Sequence, residues 1–157
     1  MGFDYSYYAV IQKDARQDLQ AYVNEHCTIE QTSAGTRIII DCRLDEAIAE
    51  YLEDNGDEPV ETGAKTASIG YIYFDIKEPP GSEFIFAGFT AATTNMSILF
   101  SNSGSVRDWF IELSKRINAI GLFLDMEGGD YQFIDINLPE TAELYKKIIA
   151  DHERGLS

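Results

Sequence analysis

The sequence predicts an α+β fold in which helices pack on a mainly antiparallel mixed sheet, in two or three layers. Segments with strand-like alternation and segments with helical spacing of apolar residues both occur along the chain. The strand patterns come in consecutive runs, which argues against a doubly wound parallel sheet, where strand and helix alternate throughout. The chain has 157 residues, of which 45% are hydrophobic, enough for one core. We therefore expect a single globular domain over residues 1–157.

The first half of the chain is predicted to contain two strand–helix pairs. The strands cover residues 5–12 and 36–44, and the helices cover residues 15–26 and 46–53. The first strand is apolar on both faces, which is typical of a strand covered on two sides. Asp14 and Gln17 have the spacing of a capping box at the start of the first helix, and Asp45 is placed to cap the second. The polar residues before the second strand are interpreted as a connection, and residues 55–65 as a surface loop.

The second half is predicted to contain an antiparallel meander, a helix, a hairpin and a final helix. The strands cover residues 67–78, 83–92, 96–101, 119–126 and 131–136, and the helices cover residues 105–117 and 138–155. Ser105 and Asp108 are placed to cap the first of these helices, whose apolar stripe includes Trp109. We expect Trp109 to be largely buried. The pair Gly128-Gly129 is typical of a two-residue hairpin turn.

The charge balance restricts the function classes. Asp and Glu number 27 and Lys and Arg number 12, giving a formal net charge of −15, beyond the roughly 2 to 8 charges that suffice for solubility of a small domain. Nucleic acids and anionic membranes should be repelled, because both are bound through Lys and Arg. A basic protein should be attracted. The chain has no leader pattern and no segment near the roughly 20 apolar residues of a membrane span, so we expect a cytoplasmic protein.

The cysteines and histidines do not indicate a metal centre or a nucleophile. Cys27 and Cys42 are too few for a disulfide framework and lack the close spacing of a zinc or redox pair. Cys42 is in phase with the apolar residues of its strand and is interpreted as a core residue. His26 and His152 each fall in the last turn of a predicted helix, where a cationic ring would meet the negative end of the dipole. We expect no cofactor and a binding protein rather than an enzyme.

The most acidic segment runs from Leu44 to Ala64 and contains no Lys or Arg. Its carboxylates cannot be neutralised locally, and Tyr51 lies among them as a candidate aromatic anchor for a basic partner. The predicted partner-binding residues are Glu50, Tyr51, Asp54, Asp57 and Glu58. The alternative is a solvated acidic helix and loop in which Tyr51 is half in the core.

In size, charge and the absence of catalytic motifs, the chain resembles bacterial immunity proteins, small acidic proteins that neutralise a co-produced toxin. The acidic stretch around Tyr51 carries this resemblance. It implies an inhibitor that covers a basic site on a partner such as a nuclease toxin. A further alternative is an assembly protein that forms homo-oligomers through exposed strand edges.

A second class of function would use a small ligand. The loop Ser101–Arg107 precedes a predicted helix, and free backbone N–H groups at a helix start can hold a phosphate or carboxylate. Ser103, Ser105 and Arg107 are the candidate anion-binding residues, although the loop matches neither the Walker motif nor the dinucleotide fingerprint. An ordinary helix cap explains the same residues.

A cation site is the weaker alternative. Asp125 and Glu127 share one face of their predicted strand, and Asp130 follows the glycine turn. Three converging carboxylates are the ligands that calcium and magnesium prefer. Solvated carboxylates at the end of a hairpin have the same pattern, so we expect no metal.

Overall fold

A computed structural model of the protein describes residues 4–54, 65–127, 130–134 and 142–155. Within these ranges it contains seven strands, five α-helices and one 3-10 turn, which confirms the predicted α+β class. The strands are β1 (Ser6–Gln12), β2 (Thr28–Thr32), β3 (Gly35–Arg43), β4 (Thr66–Lys77), β5 (Phe84–Ala91), β6 (Gly121–Asp125) and β7 (Tyr131–Phe133). The helices are α1 (Arg16–His26), α2 (Glu46–Asp54), α3 (Thr94–Asn102), α4 (Gly104–Arg116) and α5 (Ala142–Gly155).

The strands form one sheet in the order β2-β3-β4-β5-β1-β6-β7, and every described pair is antiparallel. The first strand lies inside the sheet, where Tyr7 is opposite Phe89 on one side and Leu124 on the other. Among the described strands, β2 and β7 are the two edges. The sequence pattern of β1 correctly indicated a strand covered on two sides, because its residues Ser6–Ile11 are all buried.

Alternation along β1 divides the core into two layers. Tyr7, Ala9 and Ile11 face the larger cluster, which includes buried residues of α1, α2, α3 and α4. Tyr8 and Val10 face a smaller cluster on the other side of the sheet, to which α5 contributes Ile148. The described elements therefore form three layers, with four helices on one face of the sheet and one on the other.

The predicted strand over residues 96–101 is wrong, because this segment lies in helix α3. The side chain of Thr93 caps the helix by accepting a hydrogen bond of 3.1 Å from the Met96 backbone N–H. Met96, Leu99 and Phe100 are all buried, at the spacing that places side chains on one helical face. Thr94 and Asn95, which precede the predicted strand, belong to the first turn of this helix.

The polar segment before the predicted strand 36–44 was interpreted as a connection, but it contains strand β2. Strand β2 pairs with β3 in a tight hairpin, from Thr28 opposite Ile39 to Thr32 opposite Gly35. As an edge strand with mostly exposed or half-buried residues, β2 lacks a strong apolar alternation. Gly35 has a φ of 134°, a conformation that favours glycine.

Two predicted helix caps differ from the observed ones. Helix α1 follows a 3-10 turn that contains Asp14, and its cap residue Ala15 makes no side-chain bond, so the capping box does not form. Helix α4 is capped by Ser103 rather than Ser105, since the Ser103 hydroxyl accepts a hydrogen bond of 3.1 Å from Val106 N–H. The predicted Asp45 cap of α2 is confirmed.

The apolar stripe of α4 is confirmed with one exception. Val106, Phe110, Leu113 and Ile117 are buried, whereas Trp109 is only partly buried. Trp109 lies at the rim of the core, where its ring meets Phe89, Phe110 and Tyr22 edge to face.

The remaining predictions are met in part. The 67–78 and 83–92 strands and the final hairpin are present as antiparallel pairs. Residues 55–64 of the predicted 55–65 loop and the Gly128-Gly129 turn lie outside the described residues. The predicted end of the last strand at 136 and the predicted start of the last helix at 138 also lie outside them.

Candidate functional site

Helix α2 presents acidic side chains on one side and core residues on the other. Asp45 sets the start of the helix, since its Oδ1 accepts a hydrogen bond of 2.8 Å from Ile48 N–H. Ile48 and Tyr51 then fall on the inner face. The exposed side of the helix carries three Glu residues, namely Glu46, Glu50 and Glu53.

None of these three carboxylates forms an ion pair within the described ranges. The seven ion pairs found there all lie on other elements. A surface charge without a partner keeps its full field, which attracts a basic partner at distances up to about a Debye length. The outer side of α2 is therefore an uncompensated negative surface.

An apolar side chain lies directly beside this surface. Ile98 of α3 is 49% exposed, and Tyr71 is the other strongly exposed large hydrophobic residue in the described part of the chain. Ile98 borders a narrow cleft of about 60 Å³ between α2 and α3, whose wall includes Tyr51 and Glu50. A shallower depression of about 400 Å³ adjoins it and is lined by Glu46, Glu50 and Asn102. We call the exposed surface formed by Glu46, Glu50 and Glu53 of α2 and Ile98 of α3 the acidic face.

The structure separates the residues predicted for partner binding. Glu50 is exposed on the acidic face as expected. Tyr51 is only 7% exposed and packs with the main core, so it forms a wall of the cleft and does not protrude as an anchor. Asp54 ends α2, while Asp57 and Glu58 lie outside the described residues. Ile98 was missed because its segment was interpreted as a strand.

The segment Ser101–Arg107 is not the predicted loop, because it covers the end of α3, the cap residue Ser103 and the start of α4. The carboxylate of Asp45 occupies the centre of this segment. Asp45 Oδ2 accepts hydrogen bonds from the Ser103 hydroxyl at 2.7 Å and from Ser105 N–H at 3.1 Å. The Ser105 hydroxyl donates to the Arg43 carbonyl. An external phosphate or carboxylate would have to displace Asp45 to use these donors.

Ser103 and Ser105 both bind the carboxylate of Asp45. The hydrogen bonds of Arg107 go to other groups. Its guanidinium donates to the Tyr7 hydroxyl and to the Gln132 side chain, each at 3.3 Å. Burial raises the pKa of Tyr7, and the nearby Arg107 offsets part of this effect. Arg107 thus joins α4 to β1 and β7 and is engaged within the fold.

Among the candidate cation ligands of the last hairpin, the carboxylate of Asp125 is held by local contacts. Asp125 Oδ1 accepts a hydrogen bond of 3.0 Å from Glu127 N–H, and Asp125 Oδ2 lies 3.3 Å from His152 Nε2. Asp130 approaches this region through its backbone, since its carbonyl accepts a bond from Met126 N–H. The described residues contain no group of three or more His, Cys, Asp or Glu side chains arranged to hold a metal ion.

His152 has a role that its position in the sequence did not reveal. It is 1% exposed, and Tyr8, Phe86, Phe123 and Tyr131 surround its ring. Its Nδ1 has no hydrogen-bond partner among the described residues. His152 lies in the last turn of α5 as predicted, but its buried ring also fastens that helix to the sheet.

Burial raises the pKa of Tyr131 beside this ring and of the two cysteines elsewhere in the fold. Burial, together with the nearby charges of Asp125 and Glu153, raises the pKa of Tyr131 to about 12. Burial likewise raises the pKa values of Cys27 and Cys42 to about 12, with a contribution from Asp41. Both thiols therefore stay protonated near neutral pH and are poor nucleophiles.

The described residues contain no helix of the length and apolarity needed to cross a membrane. A comparison with known proteins adds no relative. No protein-family model, no curated protein and no solved structure matches this chain.

Proposed function

We propose that this chain is a small acidic binding protein of the cytoplasm, an immunity-type inhibitor that covers a basic site on a partner such as a nuclease toxin. The observation that carries the proposal is the acidic face. There, Glu46, Glu50 and Glu53 of α2 form no ion pair with the described residues. Glu50 lines a cleft together with the exposed side chain of Ile98. The net charge of −15 supports the same partner class.

The two components of the acidic face have different roles in binding. Glu46, Glu50 and Glu53 steer a basic partner and raise the association rate, because they act at a distance. Ile98 supplies apolar area that leaves water only in the complex and therefore slows dissociation. The neighbouring cleft gives a partner side chain a place to pack against α2 and α3.

A double charge reversal tests this assignment. We expect Glu50→Lys with Glu53→Lys to slow association with a basic nuclease by about tenfold or more at low salt and to weaken its salt dependence. The measurement is surface plasmon resonance at two NaCl concentrations, with purified basic nucleases and charge-matched basic proteins lacking nuclease activity. Inhibition of nuclease activity is recorded in parallel.

The matched control reverses two exposed acids elsewhere, Asp14→Lys with Glu25→Lys, and changes the net charge equally. If only total charge matters, both double variants will lose the same amount of association rate, and the acidic face is then not the contact surface. Ile98→Ser should mainly speed dissociation. The inhibitor proposal would be overturned if no basic nuclease binds more tightly than the charge-matched basic proteins.

A further inference from the structure

A groove lies between α1 and the edge of β4, away from the acidic face. Its volume is about 780 Å³. One wall is a polar stripe of α1 formed by Arg16, Gln20 and Asn24, which follow one another at intervals of four residues. The floor includes Phe74 and Ile76 of β4. The groove therefore combines an apolar floor with an amide-rich wall.

The groove also contains an open strand edge. Pairing between β3 and β4 ends at Arg37 opposite Tyr73, whereas β4 continues to Lys77. Residues 74–77 pair with β5 on one side, and no described strand pairs with their other side. Such an edge leaves backbone N–H and C=O groups directed away from the sheet, ready to pair with an additional strand.

The ends of the groove limit the length of what can bind. The end of the β2–β3 hairpin, residues 34–36, closes one end. The ion pair between Arg16 and Glu78, 3.3 Å between Nη1 and Oε2, lies at the other. Four strand residues span about 13 Å at roughly 3.3 Å per residue, so the open edge matches a short extended segment.

The two faces of β4 select the side chains of such a segment. Phe74 and Ile76 face the helices, where alternate apolar side chains of a bound strand would pack. Tyr73 and Asp75 face the opposite side, and Asp75 forms no ion pair within the described ranges. A basic side chain at the intervening positions would complement Asp75 and the acidic character of the whole chain.

We propose that the α1–β4 groove binds an extended peptide segment of a partner protein, which adds a short strand to the open edge of β4 and alternates apolar with basic residues. This site is separate from the acidic face and does not depend on the inhibitor proposal. Main-chain hydrogen bonds would supply affinity, and the floor and Asp75 would supply specificity.

Selection from a displayed library of random heptapeptides tests the groove directly, because it requires only the peptide chemistry and no identified partner. We expect enriched sequences to alternate apolar and basic residues and to shift the backbone amide NMR signals of residues 74–77. Gln20→Trp, which fills the groove from the exposed surface of α1, should weaken binding of the selected peptides by about tenfold or more. Gln17→Trp, on the same helix but outside the groove, should not change it.

A second control separates strand pairing from charge attraction. Methylation of alternate backbone nitrogens in a selected peptide removes donors but keeps all side chains, so it should abolish the shifts at residues 74–77. The proposal is overturned if no peptide is enriched, if Gln20→Trp binds as well as the unchanged protein, or if the methylated peptide binds equally. A concentration-dependent dimer that Gln20→Trp disrupts would assign the groove to a second copy of the chain instead.

Discussion

At the scale of single residues, Asp45 links parts of the fold that are distant in sequence. One carboxylate oxygen caps α2, and the other accepts two hydrogen bonds at the start of α4. Burial alone would raise the pKa of Asp45, but hydrogen bonds from Ser103 and from backbone N–H groups outweigh burial and lower it. A single side chain thus satisfies orphan donors of two helices.

Replacement of Asp45 should therefore destabilise the protein at neutral pH. We expect Asp45→Ala to lower the free energy of unfolding by about 2–3 kcal/mol, measured by urea denaturation at pH 7. Because the folded pKa is lowered, this stabilisation is present above the unfolded value near 4 and is lost as pH falls through the folded value. The difference from the unchanged protein should shrink toward pH 2. Asp14→Ala is the exposed control, and an equal loss in both variants would contradict the double-cap assignment.

At the scale of elements, α3 shows how a cap decides between two secondary structures. The segment from Met96 to Phe100 is apolar enough for a strand, yet Thr93 provides the acceptor that begins a helix. The helix also places Ile98 outward, next to α2. Ile98 contributes to the acidic face only because this segment is helical.

The cap of α3 can be tested directly. We expect Thr93→Ala to cost about 1 kcal/mol of unfolding free energy, since the Met96 N–H loses its acceptor. Thr94→Ala, one residue into the helix, should have a much smaller effect because Ala is the better helix former. Urea denaturation followed by circular dichroism measures both. Equal effects in the two variants would argue against a cap at Thr93.

At the scale of the whole molecule, the excess of acidic residues should oppose folding. With 27 Asp and Glu against 12 Lys and Arg, the compact state repels itself. The ion pairs of the described residues are mostly exposed, and such pairs contribute little stability. The excess of acidic residues therefore has a cost in stability.

Salt should reduce this cost. Raising NaCl from about 0.01 to about 0.1 M shortens the Debye length from about 30 to about 10 Å, so we expect the Tm to rise by several degrees. Calorimetry of the Glu50→Lys and Glu53→Lys double variant should show a smaller rise, because that variant has less repulsion to screen. A Tm that stays constant or falls with NaCl would refute self-repulsion as a significant term.

The sequence by itself determined the α+β class, most strand and helix positions and the acidic character of the molecule. These features depend on local periodicity and composition, which each segment carries independently of the others. The buried pattern of β1, the cap at Asp45 and the core position of Cys42 were predicted for the same reason. A strand within the polar connection was not predictable, since β2 is defined by its pairing with β3.

Only the tertiary structure decided which side chains meet. Asp45 accepts a hydrogen bond from Ser103, 58 residues away in the sequence, and His152 contacts Asp125, 27 residues away. No sequence periodicity connects residues at such separations. The segment 101–107 was recognisable from the sequence as the start of a helix. The sequence did not show that the carboxylate of Asp45 binds there. The α1–β4 groove likewise arises because the pairing of β3 with β4 ends at Arg37 and Tyr73 while β4 continues to Lys77, an arrangement that only the assembled strands define.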